Sequence, residues 1–336
     1  MRIAVIGAGA VGGALAARLA GSRPSGDRHS VEVTARGEHL AAILAGGIRL
    51  RGAWGSVDAA VSASETLTAV PDLAIVATKA QDAGAAIRAN AGFLDGVPVL
   101  IVQNGLEGIA TGQRELPGSV ISGGLAMFAA SYLSPGEVTI TAPGPTFVGG
   151  DGAASIVRLL PELELSLVDD FAGAQWSKLV VNQVNALPAI TGLSAQDTID
   201  SPALRRVLVA SMRETVRAGL ASGVHFASVS GLSDARLRLF ARAPFVLAQL
   251  IPRRMAERMG DVPNPGSTLQ SIRRGQLSEI DYLNGAVVTA GMAAGVQTPV
   301  NAVLVKLVHE VEASGEFLSA DEVVLRVERA EISRTD

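Results

Sequence analysis

The segment WSKLVVNQVNALPAITG, residues 176–192, sets one lysine and two asparagines in otherwise apolar company. On a helix at ~100° per residue, Lys178, Asn182 and Asn185 fall within roughly 60° of one another. Leu179, Val180, Val181, Val184, Ala186 and Leu187 surround that stripe. A helix that is apolar nearly all round is usually a buried one, so the stripe is expected to face an internal cleft. An ammonium there is costly unless something uses it. Burial disfavours the charged form, lowers the pKa of the amine and makes it a better acid near neutral pH. The stripe therefore suits proton donation beside two neutral amides. The alternative is a structural polar network, with Lys178 satisfied by backbone carbonyls or a buried carboxylate.

A second polar set lies in PNPGSTLQSIRRGQLSEIDYLNG, residues 263–285. Ser267 followed by Gln270 has the spacing of a capping box, which predicts Ser267 as a helix N-cap. Glu279 and Asp281 read as part of a helical segment whose apolar side is Ile280, Leu283 and Val287. A carboxylate at that edge can bind a ligand, or simply pair with Arg273 or Arg274.

The third set opens the chain. In MRIAVIGAGAVGG, Gly7, Gly9 and Gly12 have GxGxxG spacing between a strand pattern and a helix pattern. The first glycine permits a tight turn, and the second lets backbone approach a pyrophosphate. The third lets helix pack close to strand, with the helix N-terminus facing the anion. The loop Gly7, Ala8, Gly9, Ala10, Val11 and Gly12 is thus read as the cofactor-binding turn. NAD-binding folds often carry an acidic residue at the end of the second strand, to accept hydrogen bonds from the ribose. Here that strand runs into VTARGEH, with Arg36 placed 24 residues after Gly12, Glu32 inside the strand and Glu38 beyond the turn. A guanidinium there suits a 2′-phosphate, so NADP(H) is the expected cofactor. Lys79 closes DLAIVATK and Asn104 closes VLIVQNG. At the carboxyl ends of parallel strands both would line a ligand cleft, although Asn104-Gly105 also reads as a plain turn and Lys79 as a solvated charge.

These residues need elements to hold them. RIAVI, VEVTA, DLAIVATK and VPVLIVQNG alternate with helical patterns, which predicts an N-terminal α/β, Rossmann-type, doubly wound sheet. A polar loop, GSRPSGDRHS, joins the first helix to the second strand, and GIRLRGAWGSVDAAVS reads as a hairpin-like insertion. After SVISGGLAMF come β-rich pieces, and from Trp176 onward nearly everything has helical period. The expected division is residues 1–170 for an NADP-binding domain and 171–336 for an all-α substrate and catalytic domain. A chain of 336 residues with 48% hydrophobic residues can fill two cores. A formal net charge of -4 lacks the basic excess of a nucleic-acid binder. With no cysteine and four histidines, no metal site is expected. No apolar run reaches the ~18 residues of a membrane span, and no leader pattern is read, so a cytoplasmic protein without a membrane partner is expected. The arginines at 236, 238, 242, 253, 254 and 258 read as solvated helix faces, in a pattern that Pro252 is expected to interrupt.

The order GxGxxG, Lys79, QNG, W-x-K-L-x-x-N and S-x-L-Q … S-E-I-D-Y-L-N-G resembles the ketopantoate reductase (2-dehydropantoate 2-reductase) family over most of the chain. The resemblance implies a Rossmann domain followed by a helical one. It also implies reduction of a branched 2-oxo acid, 2-dehydropantoate, to (R)-pantoate with NADPH, in pantothenate biosynthesis. Carried over by motif, Lys178 becomes the catalytic lysine and Glu279 the acidic active-site residue. Asn182, Asn185, Ser267 and Lys79 become substrate contacts, and Lys79, Asn104 and Arg36 cofactor contacts. A small-molecule 2-oxo acid is then the partner, with a homodimer possible. Relatives often place the two helix asparagines four residues apart, whereas here they are three apart; Ser271 and Gln276 depart from the common Asp and Arg. Alternatives are another 2-oxo acid, an opine-type dehydrogenase, or a non-catalytic NADPH sensor.

Overall fold

A computed structural model describes residues 1–21, 29–229, 231–260 and 262–332. The chain forms two compact units, Met1–Phe171 and Ala172–Asp336. Most of the loop expected before the second strand, residues 22–28, lies outside the described residues.

Among its described residues the first unit has twelve strands: β1 Arg2–Ile6, β2 Ser30–Thr34, β3 Ile48–Gly52, β4 Val57–Ala59, β5 Ser62–Ser64, β6 Leu73–Val76, β7 Val99–Val102, β8 Ile121–Ala126, β9 Ala129–Ser134, β10 Glu137–Ala142, β11 Thr146–Gly150 and β12 Leu165–Leu167. Among the described residues, eight of them form one sheet in the order β12-β11-β8-β7-β6-β1-β2-β5. The run from β8 to β5 is parallel throughout, and β11 joins β8 antiparallel. Parallel strands covered on both faces read as unbroken apolar runs, which is why LAIV and VLIV, all buried, form the centre. Alternation along β1 divides its side chains. Ile3 and Val5 enter the apolar layer under helix Ala10–Ala20, and Ala4 and Ile6 the layer that includes Ala86 and Ile87 of helix Ala80–Ala89. Strand order reverses at β1 and β6, and in such sheets ligands bind beyond the carboxyl ends of strands at that point.

The insertion is more than a hairpin. β3 and β4 do pair antiparallel, but β5 from the same stretch joins the main sheet beside β2. β3 in turn pairs with β10, in a second sheet of order β4-β3-β10-β9. Burial explains the pairing: Ile48 and Leu50 are wholly buried, and Val138 and Ile140 of β10 belong to the same apolar cluster.

The second unit is helical. Phe171–Asn182 carries Lys178, a 3₁₀ turn covers Gln183–Asn185, and Ala186–Thr191 continues the path. Helices Pro202–Ala221, Gly266–Arg273, Asn284–Ala293 and Pro299–Ser314 complete the surroundings of that path. In the arginine-rich region, Pro252 does not break its helix. It is the third residue of Leu250–Met259, in the first turn, where a missing N–H costs no helical bond. Among the described residues no helix is long and apolar enough to cross a membrane.

Two glycines of the opening loop should respond differently to a methyl group. A Cβ on Gly12 would lie 2.0 Å from the Gly7 carbonyl oxygen, whereas one on Gly9 would meet nothing within 4 Å. Gly12→Ala is expected to cost about 1–3 kcal/mol in urea unfolding through overpacking. Gly9→Ala should cost less than about 1 kcal/mol, the scale of a lost N-cap preference.

Candidate functional site

In the first unit the opening loop is held by residues from elsewhere in the chain. Gly7 turns at φ +92°, a conformation that favours glycine, and a Cβ there would meet Thr78 Cγ2 at 2.7 Å. Gly7 N–H donates to Thr34 Oγ1 at 3.0 Å, and Ala8 N–H to the Thr34 carbonyl at 3.0 Å. Helix Ala10–Ala20 starts at Gly9 without a side-chain cap. Its first N–H groups therefore have no capping side chain, and the position of the Gly9 Cβ is open. That cradle fits the pyrophosphate of a dinucleotide.

His39 reaches the same loop, a contact that sequence reading missed. Its Nε2 lies 2.6 Å from the Ala8 carbonyl oxygen, and its Nδ1 3.0 Å from Gly136 N–H. The ring is thus a donor at Nε2 and an acceptor at Nδ1, the neutral tautomer. Burial lowers its pKa, against the opposing pull of the Ala8 carbonyl. Arg36 is exposed just past β2, at the N-cap of helix Gly37–Gly46. Glu32 is committed to the fold: its carboxylate, 5% exposed, accepts from Thr68 N–H and Thr68 Oγ1 at 2.8 Å each. Lys79 stands half-buried at the N-cap of helix Ala80–Ala89. Asn104 stands half-buried beyond β7, before Gly105 at φ +83°. Gln103 Nε2 donates to the Thr78 carbonyl at 2.9 Å, tying the turns after β6 and β7 together.

In the second unit Lys178 is 8% exposed and Asn182 9%. Asn185 is half-buried, and it follows Asn182 through the 3₁₀ turn rather than along an uninterrupted α-helix. Its side chain packs on Gly266, where a Cβ would come within 2.7 Å of Asn185 Oδ1. Only a glycine lets the two segments come so close. Ser267 is the next residue and is exposed. It is not an N-cap: the helix begins at Gly266 after Pro265. Asn264 Oδ1 accepts the Gly266 N–H at 2.9 Å, and the helix starts two residues earlier than a Ser267 cap would place it, leaving Ser267 inside it.

Glu279 also departs from expectation. It lies outside any helix, just before the 3₁₀ turn Ile280–Tyr282, and its carbonyl accepts from Tyr282 N–H at 2.9 Å. The turn is anchored by Ile280 and Leu283, both wholly buried. On either side, Ser278 N–H donates to Glu312 Oε1 at 2.8 Å, and Asp281 Oδ1 lies 3.0 Å from His309 Nε2. His309 Nδ1 lies 2.8 Å from Glu312 Oε2. Burial opposes the His309 cation, but the bonds to Asp281 and Glu312 outweigh it and raise the histidine's pKa. The charge of Glu279 falls on Lys178. Burial pushes the lysine down from its ordinary 10.5 to about 8, with the Glu279 carboxylate pulling the other way.

Holding that ammonium dry has a measurable cost. The unfolded chain keeps the proton up to 10.5 and the folded chain only up to about 8, so the cost is full below pH 8 and fades between 8 and 10.5. Lys178→Met is expected to be more stable than the parent at pH 7, by up to roughly 3 kcal/mol. Urea unfolding at pH 7 and pH 9.5 checks this: the advantage should shrink at the higher pH.

Comparison with known proteins bears on the chain as a whole. The sequence pattern of "Ketopantoate reductase PanE/ApbA" matches residues 3–151, and that of "Ketopantoate reductase PanE/ApbA C terminal" matches residues 170–312. A 2-dehydropantoate 2-reductase of Mesorhizobium japonicum is 30% identical over 342 residues, covering 90% of this chain and 96% of the relative. One from Pyrococcus horikoshii is 26% identical, covering 94% and 99%. The crystal structure of a PanE/ApbA family ketopantoate reductase from Ralstonia eutropha superposes with a TM-score of 0.78 at 30% identity, covering 93% and 99%. A D-mandelate dehydrogenase solved with NADH and anilino(oxo)acetate shares the fold, with a TM-score of 0.74 at 22% identity over 94% and 99%. With both units matched and relatives at 30% identity aligned along most of their length, the chain belongs to the ketopantoate reductase family, oxidoreductases that act on a CH–OH group.

Proposed function

We propose that this protein reduces 2-dehydropantoate to (R)-pantoate with NADPH, a step of pantothenate and coenzyme A synthesis, and that Lys178 is the proton donor. The observation that carries the reading is a lysine buried among apolar side chains whose charge is partly offset by Glu279. The bound dinucleotide supplies the hydride. Lys178 Nζ offsets the negative charge that builds on the carbonyl oxygen and gives it the proton that completes the hydroxyl. A pKa of about 8 suits this role, because the amine is protonated at neutral pH yet releases its proton more readily than a solvated lysine.

Glu279, in this reading, accepts a hydrogen bond from a substrate hydroxyl. Asn182 and Asn185 orient substrate oxygens without adding charge, and Ser267 donates to the substrate carboxylate. Gly7 to Gly12 hold the pyrophosphate, and Lys79 and Asn104 line the ligand cleft. Arg36, exposed at the end of β2, would fork onto the 2′-phosphate, with Glu32 already engaged by Thr68.

Lys178→Ala should lower turnover of 2-dehydropantoate by ~10² or more and leave NADPH affinity unchanged. Absorbance at 340 nm with 2-dehydropantoate, other 2-oxo acids and 2-oxo acid–amine pairs reads the substrate, and full activity in this variant sinks the lysine assignment. Turnover of the parent should fall as pH rises through about 8, where Lys178 loses its proton. Arg36→Ala should erase most of the preference for NADPH over NADH, seen as a higher KM for NADPH alone.

A further inference from the structure

Gln183 sits one residue past Asn182, in the 3₁₀ turn, with a side chain that is wholly buried. Its amide donates to the Leu179 carbonyl at 2.9 Å, one turn back and next to Lys178. Its side-chain carbonyl accepts from Asn284 Nδ2 at 2.8 Å and from Ser211 Oγ at 2.8 Å. Asn284 opens the helix that follows the Glu279 turn. One side chain therefore fastens the backbone beside Lys178 to the start of the element that follows Glu279.

The partners of Gln183 are fixed in turn. Asn301 Oδ1 accepts from Asn284 Nδ2 at 2.9 Å, and Asn301 Nδ2 donates to Glu214 Oε2 at 2.7 Å. The Glu214 carboxylate accepts the N–H groups of Val300 and Asn301 at 2.9 Å each. Gln183, Ser211, Asn284 and Asn301 are all wholly buried, so no solvent competes for these bonds. In low dielectric such bonds are strong, and leaving a member unpaired is costly. A buried network of this kind fixes one arrangement of the helices it joins.

We propose that Gln183 is a positioning residue, whose bridge from Leu179 to Asn284 sets the placement of Lys178 against Glu279. The proposal rests on Lys178 being the proton donor, but it fails separately. That reading falls if Lys178→Ala keeps its turnover; this one falls if the titration of Lys178 is indifferent to Gln183.

The sequence makes a direct test practical, because its only lysines are Lys79, Lys178 and Lys306. In the full chain labelled with ¹³C at lysine Cε, the resonance missing from Lys178→Met is that of Lys178. Its titration midpoint in the parent should lie near 8. Gln183→Leu keeps the bulk and removes the bridge, and should move that midpoint by more than about half a unit, with a matching move in the alkaline limb of the pH–rate profile. Asn284→Ala cuts the bridge from its other end and should also move the midpoint, which keeps the test open should Gln183→Leu not fold. Ser211→Ala removes a bond to the same carbonyl outside the bridge. It should lower the unfolding temperature and leave Lys178 titrating as before. Folded bridge variants that lose stability while Lys178 titrates at the parent midpoint would overturn the proposal.

Discussion

A single ammonium held away from water governs how the helical unit is built. Lys178 is surrounded by the apolar side chains that make its helix a core element, and those same side chains oppose its charge. A fully compensating partner would raise its pKa back toward the ordinary lysine range. With no partner at all, burial would lower it further. The Glu279 carboxylate stands between these limits, so where it stands matters more than that it is acidic. This explains why so many contacts converge on a short turn: Ile280 and Leu283 pin it from below, and Glu312 and His309 hold the residues on either side of Glu279.

The nucleotide end obeys a different constraint, the absence of side-chain bulk. Gly12 is a glycine because the Gly7 carbonyl occupies the place of its Cβ, and Gly7 because Thr78 does. Close approach alone would leave the loop free to shift, so Thr34 takes two of its N–H groups and His39 its Ala8 carbonyl. The same ring accepts from Gly136 N–H, which ties the loop to the turn between β9 and β10 of the second sheet.

Much of what depends on near neighbours was legible in the sequence. The glycine spacing, the buried central strands and the Lys178 helix could each be read, because strand, turn and helix announce themselves within a dozen residues. Even the mistakes were local in kind. Ser267 had the spacing of a cap, but Asn264 competes for the same helix start and wins, since its side chain already reaches the Gly266 N–H. Glu279 was read as helical from the apolar spacing of Ile280, Leu283 and Val287, yet that spacing is shared between a 3₁₀ turn and the helix after it. The roles of His39, Gln103 and Gln183 were not legible, because each is defined by a partner far along the chain. His39 meets Gly136, 97 positions away, and Gln183 meets Asn284, 101 away. A lone histidine or glutamine carries no sign of such a partner in its own vicinity.

The 3₁₀ turn at Gln183–Asn185 sets the direction in which Asn185 leaves the Lys178 path. Losing one residue from an α-helix turns everything beyond it by ~100°, which would swing an active side chain away from its target. A 3₁₀ turn closes in 3.0 residues against 3.6 for an α turn, so three residues wound tightly end in nearly the same direction as four wound loosely. The three-residue interval between Asn182 and Asn185 is thus close in direction to a four-residue interval on a regular α-helix. The tighter coil brings Asn185 back toward the direction of Asn182, where three residues of regular α-helix would leave it ~60° aside.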